Sequence, residues 1–319
     1  MGYNLIVVVM NSPGGKAQSH AQSCLIHLQQ DSYMTQPTPA WLDSMYNNRA
    51  LVPDHASYFE RWAQTSLMAR SQLRCTLDVA YGPSAGQKLD VFPTDIANAP
   101  VLVFIHGGYW RSLDKADHSF IAPAFTTQGV CVVVPNYDLC PAVTIPEITL
   151  QMVNAVAWVY RNIAQYGGDA RRITVVGHSA GGHLAAMVLA CNWQAHAADL
   201  PKAVVRNALS ISGLFDLQPL SRTPFLKASL QLTDFDAIRA SPALLPRPAA
   251  GVLHAVAGGD ESPEFLRQNP LIQKSWGEKT VPVCKNLPGL NHFSVLDALA
   301  DKTHALHTGA IGLIKGSAQ

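Results

Sequence analysis

The chain alternates short apolar runs with amphipathic stretches. Residues 101–106, 130–135, 172–177, 204–212 and 249–257 are short, mainly apolar runs, and 281–286 is a weaker run of the same kind. Strands buried on both faces have this pattern. Segments 73–80 and 88–92 alternate apolar with polar around Gly82-Pro83-Ser84, which predicts two strands joined by a turn. Between the runs lie predicted helices. In 146–166, Ile148, Met152, Val156, Val159 and Ile163 fall at helical spacing, with Pro146 in the first turn and Gly167-Gly168 as the stop. Further helices are predicted over 39–47, 55–69, 184–191 and 296–314, the last broken near 309–312. Strands alternating with helices of this length predict an α/β fold, a mostly parallel sheet flanked by helices. Segment 215–245 loses the strand rhythm. It holds Pro219, Pro224 and Pro242 and two short helical pieces, which suits an excursion over the sheet. The expected organisation is one domain over 34–319, with a small helical cap from 41–70 and 215–245.

Composition narrows the class. Of 319 residues 48% are hydrophobic and 14% charged, which excludes a disordered tail and a coiled coil. Lys and Arg total 23 against 22 Asp and Glu. With no basic excess and no charge run, neither nucleic acid nor an anionic membrane is an expected partner. No apolar stretch is long enough for a membrane span. The six cysteines are scattered, with no C-x-x-C pair, so a reduced, cytoplasmic protein is expected. Nothing in the pattern sets an oligomeric state. Residues 1–33 are polar apart from one short apolar run, and no Lys or Arg precedes that run. They are expected to be a start assigned too early, with Met34 as the true first residue, or else a native disordered extension.

The chemistry centres on Gly177-His178-Ser179-Ala180-Gly181, a G-x-S-x-G between a buried strand and a helix. A nucleophile on such a turn has a strained backbone and needs small neighbours two residues away. The new helix also points its first N–H groups at the site. Upstream, His106-Gly107-Gly108-Tyr109-Trp110 follows another buried strand. Glycine lets the backbone approach a developing oxyanion, so Gly107, Gly108 and Tyr109 with Ala180 are the expected oxyanion hole. His292 is the expected base, on a loop between the last strand and the last helix. Two adjacent carboxylates, Asp260 and Glu261, follow the strand before it. Glu261 has the spacing from Gly258 expected of an orienting acid, and Asp260 is the commoner residue type for that role. Glu264 reads as part of the next helix. Ser179, then acid, then His292 is the α/β-hydrolase order. Trp110, Tyr137 and Phe293 lie close in sequence to these pieces and are expected to wall the leaving group. His304 and His307 lack a carboxylate at ligand spacing, and no metal or organic cofactor is expected.

These motifs resemble a family. HGGYW at 106–110, NYDLCP at 136–141, GHSAGGHL at 177–184, ESPEF at 261–265 and NHF at 291–293 are similar to the kynurenine formamidase (arylformamidase) branch of the hormone-sensitive-lipase-like α/β-hydrolases. WLDSMYNNRALVPDH at 41–55 is similar to the start of its bacterial members. The resemblance spans about residues 38–315. It implies Glu261 as the acid, although many members carry Asp there. It also implies hydrolysis of a formyl group from an aryl amide or ester of the N-formyl-kynurenine type. A general short-chain carboxylesterase would use the same triad. A non-catalytic binding protein on this fold would be expected to lack one of its members.

Overall fold

A computed structural model describes residues 37–316. The expectation for residues 1–33 lies outside the described residues. The strands are β1 (Thr76–Ala80), β2 (Lys88–Phe92), β3 (Ala99–Ile105), β4 (Cys131–Pro135), β5 (Gly168–His178), β6 (Val205–Ile211), β7 (Val252–Gly258) and β8 (Val283–Leu287). They form one eight-stranded sheet in the order β1-β2-β4-β3-β5-β6-β7-β8. β2 is antiparallel to both β1 and β4, and the pairings from β4 across to β8 are parallel.

Successive side chains on the buried strands feed two cores. Val101, Val103 and Ile105 of β3 join Val133 and Val175 on one face. Leu102 and Phe104 join Val132, Val134 and Val176 on the other. Because both faces are covered, the central strands read as mainly apolar runs.

The main helices are α1 (Pro39–Tyr46), α2 (Asn48–Leu51), α3 (His55–Gln72), α4 (Ile145–Asn162), α5 (Ala180–Leu189), α6 (Pro224–Leu230), α7 (Pro263–Trp276), α8 (Ser294–Ala300) and α9 (Ala305–Lys315). α4 opens on a reciprocal capping box between Thr144 and Glu147. Its Ile148, Met152, Val156 and Val159 pack on the first core. Leu306, Ala310, Leu313 and Ile314 of α9 cover the second.

Two expectations are corrected. The final helical region breaks between Ala300 and Ala305, not at 309–312. There Asp301 Oδ1 accepts from the N–H and hydroxyl of Thr303, and His304 Nδ1 accepts from the N–H of Leu306. These local bonds outcompete the helix, whereas Gly309 and Gly312 continue it. Segment 215–245 holds three short α-helices and a 3₁₀ turn rather than two helical pieces.

Every chemically suggestive loop leaves the carboxyl edge of a parallel strand. Residues 106–110 follow β3, Ser179 follows β5, Ser212 follows β6, Glu261 follows β7 and His292 follows β8. Open α/β sheets place their sites along this edge.

Candidate active site

Ser179 sits at the turn from β5 into α5 with φ 56° and ψ −119°, a strained backbone for a residue with a side chain. Its N–H donates to Ile211 O at 2.8 Å, which ties the turn to β6. The flanking glycines are dictated by contact. A Cβ on Gly177 would lie 2.0 Å from Gly181 O, and one on Gly181 would lie 2.0 Å from Ile105 O. Ala180 is the first residue of α5, so its N–H has no carbonyl within the helix to bond.

His292 is held from three sides. Asn291 Oδ1 accepts the N–H groups of Phe293 and Ser294, each at 2.9 Å, and so turns the chain into α8. The buried His178 donates from Nε2 to the main-chain carbonyl of His292 at 2.7 Å. Burial, and then the neighbouring His292, push the His178 imidazole well below its ordinary value, so it stays neutral. The third contact is Glu261 Oε2, 2.6 Å from His292 Nδ1. Since an ionised carboxylate only accepts, the imidazole proton lies on Nδ1 and leaves Nε2 as the basic nitrogen. Glu261 Oε1 accepts from Ser212 Oγ at 2.5 Å and from the Gly258 N–H at 2.7 Å.

Asp260, the alternative acid, is corrected. It is exposed, and its backbone N–H donates to Leu290 O. The turn after β7 sends its side chain outward while Glu261 turns in. Glu264 lies in the first turn of α7. It accepts from the Tyr46 hydroxyl at 2.6 Å and pairs with Arg267.

The loop after β3 is sharply wound, with φ 102° at Gly108, 51° at Tyr109 and 54° at Trp110. Gly108 O accepts the N–H groups of Arg111 and Ser112. Neither Gly108 nor Tyr109 donates its own backbone N–H to another group among the described residues. Gly107 lies against the His178–Ser179 turn. The Tyr109 hydroxyl donates to Tyr46 O and so fastens the loop to α1.

Two expected wall residues are corrected. Trp110 is 0% exposed and packs edge-on against His183 at 5.0 Å between ring centroids. Tyr137 is buried too. It stacks on His106 at 4.3 Å, and its hydroxyl reaches the carbonyls of His106 and Gly107. Both support the glycine loop from behind. Phe293 does line the cavity.

That cavity measures about 210 Å³. Ser179, His178, His292, Gly108 and Tyr109 line it, together with the aromatic side chains of Phe59, Trp62, Phe225 and Phe293. Ser179 Oγ has no hydrogen-bond partner among the described residues, so the serine and the imidazole share the cavity without a direct bond. Such contacts commonly tighten only around bound substrate. Sequence reasoning missed Ser212, Phe59, Trp62 and Phe225. None belongs to a motif, and α3 and α6 reach the site only through the fold. Among the described residues no group of three His, Cys, Asp or Glu side chains is placed to hold a metal ion. Nor is any helix among them long and apolar enough to cross a membrane.

The sheet order and this edge site define an α/β-hydrolase. The profile of the BD-FAE family matches residues 89–222. The kynurenine formamidase of Danio rerio is 31% identical over 247 residues, covering 75% of this chain and 81% of that protein. That of Salmo salar is 32% identical over 250 residues, with the same coverage of 75% and 81%. A crystal structure from Silicibacter sp. TM1040, provisionally described as a thioesterase, matches with a TM-score of 0.74 and 33% identity. It covers 86% of this chain and 98% of that one. The chain belongs to the kynurenine formamidase family.

Proposed function

We propose that the protein hydrolyses an aryl formamide of the N-formyl-kynurenine type, with Ser179 as nucleophile, His292 as base and Glu261 as orienting acid. The observation that carries this reading is the 2.6 Å contact of Glu261 with His292 Nδ1, at the cavity that also holds Ser179. Ser179 Oγ attacks the formyl carbon, and its proton passes to His292 Nε2. Glu261 keeps the Nδ1 tautomer and stabilises the imidazolium. The oxyanion is met by the N–H of Ala180 and by N–H groups of the loop at Gly107, Gly108 and Tyr109. Collapse breaks the C–N bond, and the leaving aryl nitrogen takes the proton from His292. Water, deprotonated in turn by His292, then attacks the formyl ester; the C–O bond to Ser179 breaks, His292 returns the proton to Ser179 Oγ, and formate leaves.

The size of the cavity supports a small acyl group. At about 210 Å³ it is below the roughly 300–1,000 Å³ of drug-sized sites. Its aromatic sides suit an aryl leaving group. α1 to α3 and segment 215–245 act as a small cap over the sheet edge, joined where the Phe225 N–H donates to Asp43 Oδ1 at 3.0 Å. The cysteines among the described residues, Cys75, Cys131, Cys140, Cys191 and Cys284, are free, which supports a reducing, cytoplasmic setting.

Turnover of N-formyl-kynurenine by wild type and Ser179→Ala tests this reading. The variant should keep its thermal melt and lose about 10⁴-fold or more in kcat. Retention of a tenth of wild-type activity would overturn the mechanism.

A further inference from the structure

Three hydrogen-bond donors line one part of the cavity without an anionic partner. Arg49, from α2, lies over the Phe59 ring at 5.3 Å, and Arg111, just past the glycine loop, lies over the Phe225 ring at 5.4 Å. Neutral oxygens hold one edge of each guanidinium. Arg111 Nη1 donates to Phe225 O at 3.0 Å and Ser229 Oγ at 2.6 Å, and Arg49 Nη2 lies 3.5 Å from Ser112 Oγ. Among the described residues neither has a carboxylate within ion-pair distance. Arg267 shows the contrast, because Glu264 and Asp216 both pair with it. Asn48, next to Arg49 in the chain, also lines the cavity; it is only 4% exposed, and its Nδ2 has no acceptor among the described residues. A buried amide donor left unpaired is costly unless a ligand satisfies it.

We propose that Arg49, Arg111 and Asn48 form a carboxylate-binding corner, which selects aryl formamides whose leaving group carries a carboxylate. This rests on the formamidase reading and deepens it. Two planar guanidinium forks and an amide N–H match a carboxylate's two oxygens, and a ring stacked on a guanidinium face leaves its in-plane N–H groups able to donate. Burial, and then the charge of Arg49, push the Arg111 guanidinium below its ordinary value, as expected of two cations sharing a site without a counter-ion. The acyl end of the substrate lies at Ser179, so the corner reads the leaving group and leaves the formyl side unconstrained.

The test compares 4-(2-formamidophenyl)-4-oxobutanoate with its uncharged primary amide, using wild type, Arg49→Gln, Arg111→Gln and Arg111→Lys. Wild type should favour the carboxylate in kcat/KM by about 10- to 100-fold, through KM. Each Gln variant should collapse that ratio toward one, and Arg111→Lys should keep part of it. A ratio cancels any difference in folded fraction. A wild-type ratio near one, or a ratio the Gln variants leave intact, would overturn the corner while formamide turnover stands. If neither formamide is cleaved, the formamidase reading fails instead. The corner is then decided by inhibition of nitrophenyl acetate hydrolysis with the deformylated carboxylate and its amide. Stronger inhibition by the carboxylate, lost in the Gln variants, would support it, and equal inhibition would overturn it.

Discussion

Ser212 Oγ donates a 2.5 Å hydrogen bond to Glu261 Oε1, the carboxylate oxygen that His292 does not use. With the Gly258 N–H on the same oxygen, the carboxylate is clamped in the plane that presents Oε2 to the imidazole. Ser212 is itself held at φ 52°, with its N–H donated to Val256 O at 2.7 Å. Ser212→Ala removes one of the two donors. Its kcat should fall roughly 10-fold with KM little changed, the loss expected for one hydrogen bond to a charged group. A kcat within twofold of wild type would show that the Gly258 N–H alone orients the acid.

Glu261→Gln keeps the size of the side chain but not the charge that stabilises the imidazolium. Its kcat should fall by about 10³- to 10⁴-fold. Asp260→Asn, on an exposed side chain, should stay within about twofold of wild type. Steady-state kinetics of the two variants side by side check this, and the reverse ranking would return the role to Asp260.

The motif-borne part of the site was legible because it is local. A strand, one residue and a helix fix the geometry of Ser179, and the spacing from Gly258 points to Glu261, although residue type alone leaves Asp260 open. The mainly apolar runs gave the sheet, since both faces of its centre are covered. What was not legible depends on direction and distance. Trp110 is adjacent to Tyr109, but positive φ at both residues swings the indole into the core against His183. Ser212 meets Glu261 across 49 residues of chain, in no motif. Phe59 and Arg49 come from helices ahead of the sheet, whose pattern says nothing of what they cover. The final helix broke at Asp301 and not at a glycine because a side chain competing for backbone N–H groups ends a helix more firmly than flexibility does.

Acid should destabilise the fold partly through His118. It is buried, stacks on His106 at 5.4 Å and on Phe104 at 5.9 Å, and donates from Nδ1 to Asp114 O. Burial, and then the neighbouring His106, push its imidazole from 6.5 down to about 3. The unfolded chain therefore takes up this proton first. The stability is present above pH 6.5 and is lost as pH falls toward about 3. The slope is about 1.4 kcal/mol per pH unit for one such group. Urea unfolding of wild type and His118→Phe at several pH values between 6 and 4 should show the variant's slope shallower by about that amount. Parallel slopes would mean that this histidine is protonated in the folded state.

Formyl-selective hydrolysis at Ser179 is tested most directly by one set of kcat/KM values. N-formyl-kynurenine would be compared with nitrophenyl formate, acetate, butyrate and octanoate. The small cavity predicts strong turnover of N-formyl-kynurenine and a steep fall along the esters, about 1–3 kcal/mol in the barrier for each added methylene that must displace packed atoms. A butyrate optimum with no formamide cleavage would contradict the account and identify a general carboxylesterase.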